Sequence, residues 1–349
     1  MQPPNECDAP HRKRSTKKQE SPLAGVPVYV LGTSLGQTKD YQFFSAATTV
    51  FLRRGKKSKF ILLTTSNATA PSKTKPLTTR CMAQPHNGWA EQAPEDWWNA
   101  AVATLAKVVK DSGVNPEDIA GLGISGQMHG LVMLNEQGEV LRPSIIWCDQ
   151  RTGVECAEIT EIIGAQRLIE ITANPALTGF TAGKIRWVQK HEPELYRQCR
   201  HILLPKDYLR YKLTGDFATE VSDASGMQLL DVPRRCWSDE VLDKLGIDKS
   251  YLGKVYESPE VTGHISREAA RLTGLSEKTL VVGGAGDNAA AAVGTGVVAD
   301  GRAFTTIGTS GVVFAHTDTL AIDPKGRVHT FCCAVPGACS LGAWLPSTV

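Results

Sequence analysis

The most constraining feature of this 349-residue chain is the stretch LVVGGAGDNAAAAVGTG at residues 280–296. Leu280, Val281 and Val282 form a short apolar run that meets Gly283, Gly284 and Gly286 at once, the pattern of a strand feeding a glycine turn. Glycine tolerates the backbone angles of a tight loop and lets another group approach closely. Asp287 and Asn288 end the turn, and the run Ala289–Ala292 reads as a helix packed close against its neighbours. One carboxylate is therefore expected at the C-terminal end of a strand and beside a helix N-terminus, where α/β sheets gather their ligands. There it can accept a proton from a substrate hydroxyl. The same position also suits an Asp that only caps the helix. The turn by itself leaves both roles open.

With 42% hydrophobic residues the chain can bury a large core, enough for two domains or one large one. Its 38 basic and 36 acidic residues leave a net charge of +2, so no polyelectrolyte partner such as nucleic acid is expected. No apolar run reaches the ~20 residues of a membrane helix, and the N-terminus lacks the apolar core of a signal peptide. No membrane association is expected. The nine cysteines include no CxxC pair, adjacent Cys332 and Cys333 do not make a zinc pattern, and an odd total argues against a disulfide framework. A reduced cytoplasm is the expected compartment.

Residues 1–25 are polar, with a basic cluster at Arg12, Lys13, Arg14, Lys17 and Lys18, and read as a disordered, solvated tail. Val28–Leu31 reads as a strand leading to a Gly32-Thr33-Ser34 turn whose amides and hydroxyls suit a phosphate. Its expected partner strand is poor, because Gln37, Thr38, Lys39 and Asp40 are polar. Phe60–Leu63 is a short apolar run, and low order is expected from about Thr64 to Thr79. The spacing of Trp98, Val102, Leu105, Val108 and Val109 predicts a helix starting around Pro94 and stopping at Gly113. Ile119–Ile124 reads as a buried strand leading into Ser125-Gly126-Gln127-Met128-His129-Gly130. Leu131–Leu134 and Val140 flank a turn at Asn135–Gly138, predicting a hairpin, and Ile145–Trp147 begins another short strand. Residues 152–278 read as mostly helical, with helices at Glu155–Ile163, Lys184–Lys190, Ser238–Leu245 and Arg267–Leu272. Arg302–Ile307 and Val312–Ala315 are apolar runs joined by Gly308-Thr309-Ser310-Gly311, a second glycine-and-hydroxyl hairpin. Two such hairpins predict two related halves around one cleft, each with a phosphate turn.

These residues carry a resemblance. Gly88-Trp89-Ala90-Glu91-Gln92 with Trp97-Trp98, GISGQMHG at 123–130, Ile146-Trp147-Cys148-Asp149-Gln150-Arg151 and GFTAGKIRWVQKH at 179–191 occur in order. Leu204-Pro205-Lys206-Asp207-Tyr208-Leu209, Ser222-Asp223-Ala224-Ser225-Gly226, GGAGDN and IGTSG complete the set. Over about residues 85–332 the chain resembles the FGGY carbohydrate kinases, and its QMHG element points to their ketopentose branch.

The resemblance implies an α/β, actin-like (ribonuclease H-like) ATPase fold of two facing domains, the sugar held by the first and ATP mostly by the second. It implies domains at 26–296, with 37–82 aberrant, and at 297–349, the start of the second. The implied reaction is ATP-dependent phosphorylation of D-xylulose to D-xylulose 5-phosphate, with ribulose or a related polyol as the other acceptors. Asp287 is the implied base, Asn288, Met128, His129 and Trp147 the implied sugar contacts, and Gly308, Thr309 and Ser310 the implied grip on the ATP phosphates. ATP and Mg²⁺ are the implied cofactors, with no metal ligand assigned in this chain. Asp149 and Arg151 read as a structural ion pair. A homodimer is neither required nor opposed by anything in the sequence.

Two departures shape the expectations. The family carries an aspartate two residues before the glycine of its first hairpin, where this chain has Val30. The chain also stops at Val349, soon after the second domain begins. A truncated or frameshifted product with little or no kinase activity is expected on those grounds, with a non-catalytic sugar-binding remnant as the other reading.

Overall fold

The computed structural model describes residues 47–54, 57–64, 82–307 and 311–345. The basic tail, the Gly32-Thr33-Ser34 turn with Val30, and Gly308, Thr309 and Ser310 lie outside the described residues.

The central sheet is mixed. Strands β1 (Ala47–Arg54) and β2 (Lys57–Thr64) form an antiparallel hairpin, and β1 runs antiparallel to β3 (Gly121–Gly126). The run Phe60–Leu63 thus sits in a strand whose partner is 47–54. On the other side of β3 come β4 (Val261–His264) and β5 (Leu280–Val282), giving the order β4-β5-β3-β1-β2. Strand β5 is parallel to β3, and the two-residue β6 (Ala285–Gly286) continues the parallel pairing at its far end.

Helix α1 (Pro94–Ser112) covers this sheet together with α2 (Pro205–Thr214) and α3 (Arg267–Thr273). Its start and stop follow the sequence: proline at the first turn, Glu95 and Asp96 beside the positive helix end, and Gly113 in the left-handed conformation at φ 59°. The buried face is Trp98, Ala101, Leu105 and Val109, which pack with Leu122 and Ile124 of β3, Leu209, Leu213 and Val281. Val102 and Val108, on the predicted apolar stripe, are only half-buried at its margins. A second core gathers the helices Gly153–Ile163, Ala165–Thr172 and Thr181–His191 around Leu131, Met133 and Ile145.

The predicted helices at 155–163, 184–190, 238–245 and 267–272 all form, with Ser238 and Ser266 as caps that accept from Val241 N and Ala269 N. Helix α2 was not foreseen, because Lys206, Asp207, Arg210 and Lys212 break its apolar period. The expected hairpin at 131–140 forms around the Asn135–Gly138 turn: Leu134 bridges Val140, Asn135 N donates to Glu139 O and Leu141 N to Met133 O, while Val132–Leu134 also pairs with His201–Leu203. Trp147 follows rather than joins the two-residue strand Ser144–Ile145.

After α4 (Asp287–Gly294), residues 303–345 form a separate antiparallel sheet. Its strands β7 (Ala303–Ile307), β8 (Gly311–Thr317), β9 (His329–Cys332) and β10 (Cys339–Leu345) lie in the order β7-β8-β10-β9. Among the described residues no helix is long and apolar enough to cross a membrane.

Leu105 is fully buried between α1 and the sheet. Leu105→Ala should therefore cost about 2–5 kcal/mol in urea unfolding, through lost burial and the cavity left behind. Val102→Ala, at the half-buried margin, should cost clearly less.

Candidate active site

The site is built where β3 and β6 end together. Their register pairs Ala285 with Ser125 and Gly286 with Gly126. The chain then leaves β3 as Gln127-Met128-His129 and leaves β6 as Asp287-Asn288. Parallel pairing thus delivers two sequence-distant motifs to one sheet edge. Only glycine permits the approach: a Cβ on Gly284 (φ +76°) would collide with the Ile124 carbonyl oxygen, and one on Gly286 would sit 2.8 Å from Met128 Cγ.

Asp287 is the first residue of α4, with Gly286 in the capping position, so it does not serve as the N-cap. Its Oδ1 accepts from Asn288 N (2.9 Å) and, at longer range, from Asn288 Nδ2 (3.4 Å). The side chain reaches solvent, yet the protein crowded round it raises its pKa to about 6, against the opposing hydrogen bonds at the helix start. Met128 and Asn288 line one small recess open to solvent, with Ser222, Ala289, Phe331 and Cys332 among its other walls. Strands β8 and β10 close its far side through Val312, Phe314, Ser340 and Gly342.

His129 does not line that recess. Its ring is buried against Phe180 (4.7 Å between centroids), and its Nδ1–H donates to Gly226 O at 2.8 Å. Burial depresses its pKa to about 3, helped by the nearby Lys184 charge, so the imidazole is neutral. The backbone of His129 adopts φ 67°, a left-handed conformation rare outside glycine. Its carbonyl accepts from Lys184 Nζ (2.8 Å) and Thr181 Oγ1 (3.1 Å), which hold the strained turn from behind. Trp147 is half-buried and likewise stands off the recess.

Asp149 and Arg151 form the expected ion pair. Arg151 Nη2 donates to Asp149 Oδ2 at 2.7 Å, Ala90 N donates to the same oxygen at 2.6 Å, and the guanidinium lies 3.7 Å over Trp89. The pair ties the 88–92 segment to the 146–151 turn.

Sequence reasoning passed over the polar cluster beneath the site. Lys206 Nζ reaches Asp207 (2.7 Å), Glu220 (3.4 Å) and Asp223 (3.6 Å), and Arg210 also pairs with Asp207 at 3.0 Å. All five are buried. Three carboxyls face two cations, and the imbalance falls on Asp223. Burial drives its pKa well above the ordinary value, Lys206 opposes, and the neighbouring carboxylates add to the rise. Glu220 takes hydrogen bonds from Ser222 N, Ser222 Oγ, Asp223 N and Ser258 Oγ. Ser222 Oγ in turn accepts from Gly286 N (3.1 Å), so the cluster anchors the residue immediately before Asp287. Lys206, Asp207, Ser222 and Asp223 stood in the motifs that carried the resemblance. Nothing in their spacing showed that they meet.

Among the described residues no group of three or more His, Cys, Asp or Glu side chains is placed to hold a metal ion.

Residues 55–294 match the family model described as "FGGY family of carbohydrate kinases, N-terminal domain". The chain belongs to the FGGY family of carbohydrate kinases. Among its relatives, the xylulose kinase of Escherichia coli K12 is 42% identical over 278 residues, covering 80% of this chain and 56% of that protein. That of Bacillus subtilis 168 is 42% identical over 250 residues, or 72% of this chain and 50% of its own length. The crystal structure of xylulose kinase from Rhodospirillum rubrum superimposes with a TM-score of 0.76 at 25% identity, over 87% of this chain and 61% of that one. The fold is thus the α/β, actin-like ATPase fold of these sugar kinases. The chain spans about half the length of the curated relatives it matches.

Lys184 is fully buried, and burial lowers its pKa to about 7 from an ordinary value of 10.5. A neutral amine still has two N–H groups for its two carbonyl partners, His129 O and Gly179 O (2.7 Å). Between about pH 7 and 10 the unfolded chain holds a proton that the folded chain has released, so stability should rise with pH across that window. Lys184→Met should abolish this share of the slope and cost about 1–3 kcal/mol by stranding the carbonyls, read by urea unfolding at several pH values.

Proposed function

We propose that this chain is the sugar-binding part, with the beginning of the nucleotide-binding part, of a kinase that transfers the γ-phosphoryl group of ATP to D-xylulose, giving D-xylulose 5-phosphate. The observation that carries this reading is the meeting of GGAGDN and QMHG at one sheet edge, with Met128 and Asn288 facing the same recess. The names of the relatives, all xylulose kinases among those compared above, favour D-xylulose over ribulose or another polyol. In this reading residues 26–296 form the sugar domain and 297–349 open the nucleotide domain, Gly308, Thr309 and Ser310 contact the ATP phosphates, and the protein works in the cytoplasm.

Asp287 acts as general base. It takes the proton of the terminal hydroxyl as that oxygen attacks phosphorus. A carboxyl raised to about 6 is still mostly ionised at neutral pH and is a better proton acceptor than an ordinary aspartate. Asn288 fixes the carboxylate through its amide, and Met128 supplies an apolar wall for the carbon face of the sugar. His129 contributes through its backbone turn, since its neutral ring faces inward.

Isothermal titration should show D-xylulose binding to the chain, and Asp287→Asn should bind it about equally well. D-xylulose-dependent ADP release, wherever it is measurable, should fall ~10²–10⁴-fold in Asp287→Asn. It should also rise with pH through about 6 and then level, because the base works only when ionised. Absence of any D-xylulose heat beside clear binding of another polyol would reassign the substrate, and unchanged turnover in Asp287→Asn would remove the base.

A further inference from the structure

Strands β9 and β10 place Cys332 directly opposite Cys339. The adjoining pair is joined by Cys333 N donating to Ala338 O at 3.0 Å. Hydrogen-bonded and non-hydrogen-bonded pairs alternate along an antiparallel ladder, so Cys332 and Cys339 form a non-hydrogen-bonded pair. Such pairs have Cα atoms about 4.5 Å apart and side chains on one face, within the span that a disulfide bridges. Cys333, the next residue along, projects from the opposite face. Its thiol donates to Cys339 O at 2.7 Å and lies 3.6 Å from His316 Nδ1.

The pair is also set up electrostatically. Arg235 is fixed by a two-pronged ion pair to Glu257 (2.7 and 2.8 Å) and donates to Ala338 O at 3.1 Å, beside Cys339. The hydrogen bond from Cys332 lowers the pKa of Cys339, with Arg235 aiding, while Cys332 is held protonated by Cys339 and by burial. Of the two sulfurs, Cys339 is thus the one favoured as thiolate and Cys332 the one that keeps its proton. Cys332 lines the recess that Met128, Ser222 and Asn288 also wall, so a small reagent entering from solvent meets the Cys332 side of the pair.

We propose that Cys332 and Cys339 are an oxidation site that closes reversibly to a cross-strand disulfide with a hydroperoxide as oxidant. The thiolate attacks the peroxide oxygen, the O–O bond breaks, and a sulfenic acid forms as water or an alcohol leaves with the proton. The second sulfur then attacks the sulfenic sulfur, forming the S–S bond and releasing water. Two electrons pass from the dithiol to the peroxide, and a thiol reductant restores the pair. The site rests on the strand register and not on the sugar reading.

The test is hydrogen peroxide treatment of the folded chain, alkylation with N-ethylmaleimide and tryptic mass mapping. The peptide following Arg327 carries Cys332, Cys333 and Cys339. After oxidation it should take one alkyl group instead of three and regain all three after dithiothreitol. Cys333→Ser should still form the bond, leaving no alkylated cysteine in that peptide. Cys339→Ser should form none and keep both remaining thiols. A wild-type peptide that stays fully alkylated after oxidation overturns the proposal, and so does loss of the bond in Cys333→Ser or its persistence in Cys339→Ser. Circular dichroism of each variant before treatment verifies the fold, and a variant that fails it is replaced by the corresponding alanine.

Discussion

The parallel pairing of β6 with the end of β3 is the constraint on which the rest of the site depends. It needs two backbones closer together than side chains allow, and Gly126, Gly284 and Gly286 supply that room. A Cβ on Gly126 would lie 2.7 Å from Lys206 Cβ, so the same glycine lets helix α2 bring its lysine under the sheet edge. The two motifs that leave this junction have no freedom to diverge within their first residues. Catalytic geometry of the proposed kind demands positioning to a fraction of an ångström. A β-sheet register, once set, gives that without further device.

Two buried lysines hold the loops that follow. Lys184 stands behind Met128-His129 and satisfies the carbonyl of a residue strained into left-handed φ. Lys206 stands behind Gly286-Asp287 and gathers three carboxyls, of which Glu220 orders Ser222 and through it the Gly286 amide. Neither arrangement is an efficient source of stability, because desolvating charges offsets most of what their pairing gains. Each makes sense as a fixing device: removing one partner leaves unsatisfied groups in a dry interior, so the loop has one conformation and no cheap alternative. Burial raises the pKa of Asp223 in the second cluster, and the nearby Asp287 stands at the helix start with its side chain reaching solvent.

The recess also joins the two parts of the chain. Its near wall comes from the central sheet and α4, its far wall from β8, β9 and β10. In the proposed reading a sugar placed there would be held by residues on both sides of the Gly294–Ala303 connection, and Cys332 of the sulfur pair belongs to the far wall. In the proposed reading, chemistry and redox state would therefore act on the same small volume from opposite sides.

Sequence alone determined the elements whose signals are local. The start and stop of α1 at Pro94 and Gly113, the strand at Leu280, the helix after Asp287 and the capped helices at Ser238 and Ser266 all follow from periodicity, caps and glycines within a few residues. It also gave the family, because the quoted motifs are unusual as a set and occur in order. Tertiary structure decided what those signals cannot encode. Strand 47–54 was legible only once β3 offered it a partner, since pairing and not propensity makes a strand of it. Residues 131–134 make the local hairpin that their sequence signals, and only the tertiary structure adds His201–Leu203 as a second partner. His129, expected to face the sugar, turned its ring inward because Phe180 and the Gly226 carbonyl give it a better-satisfied place. Lys206, Glu220 and Asp223 were visible as letters but became a cluster only through the packing of α2 under the sheet, because charge pairing across many residues leaves no period in the chain.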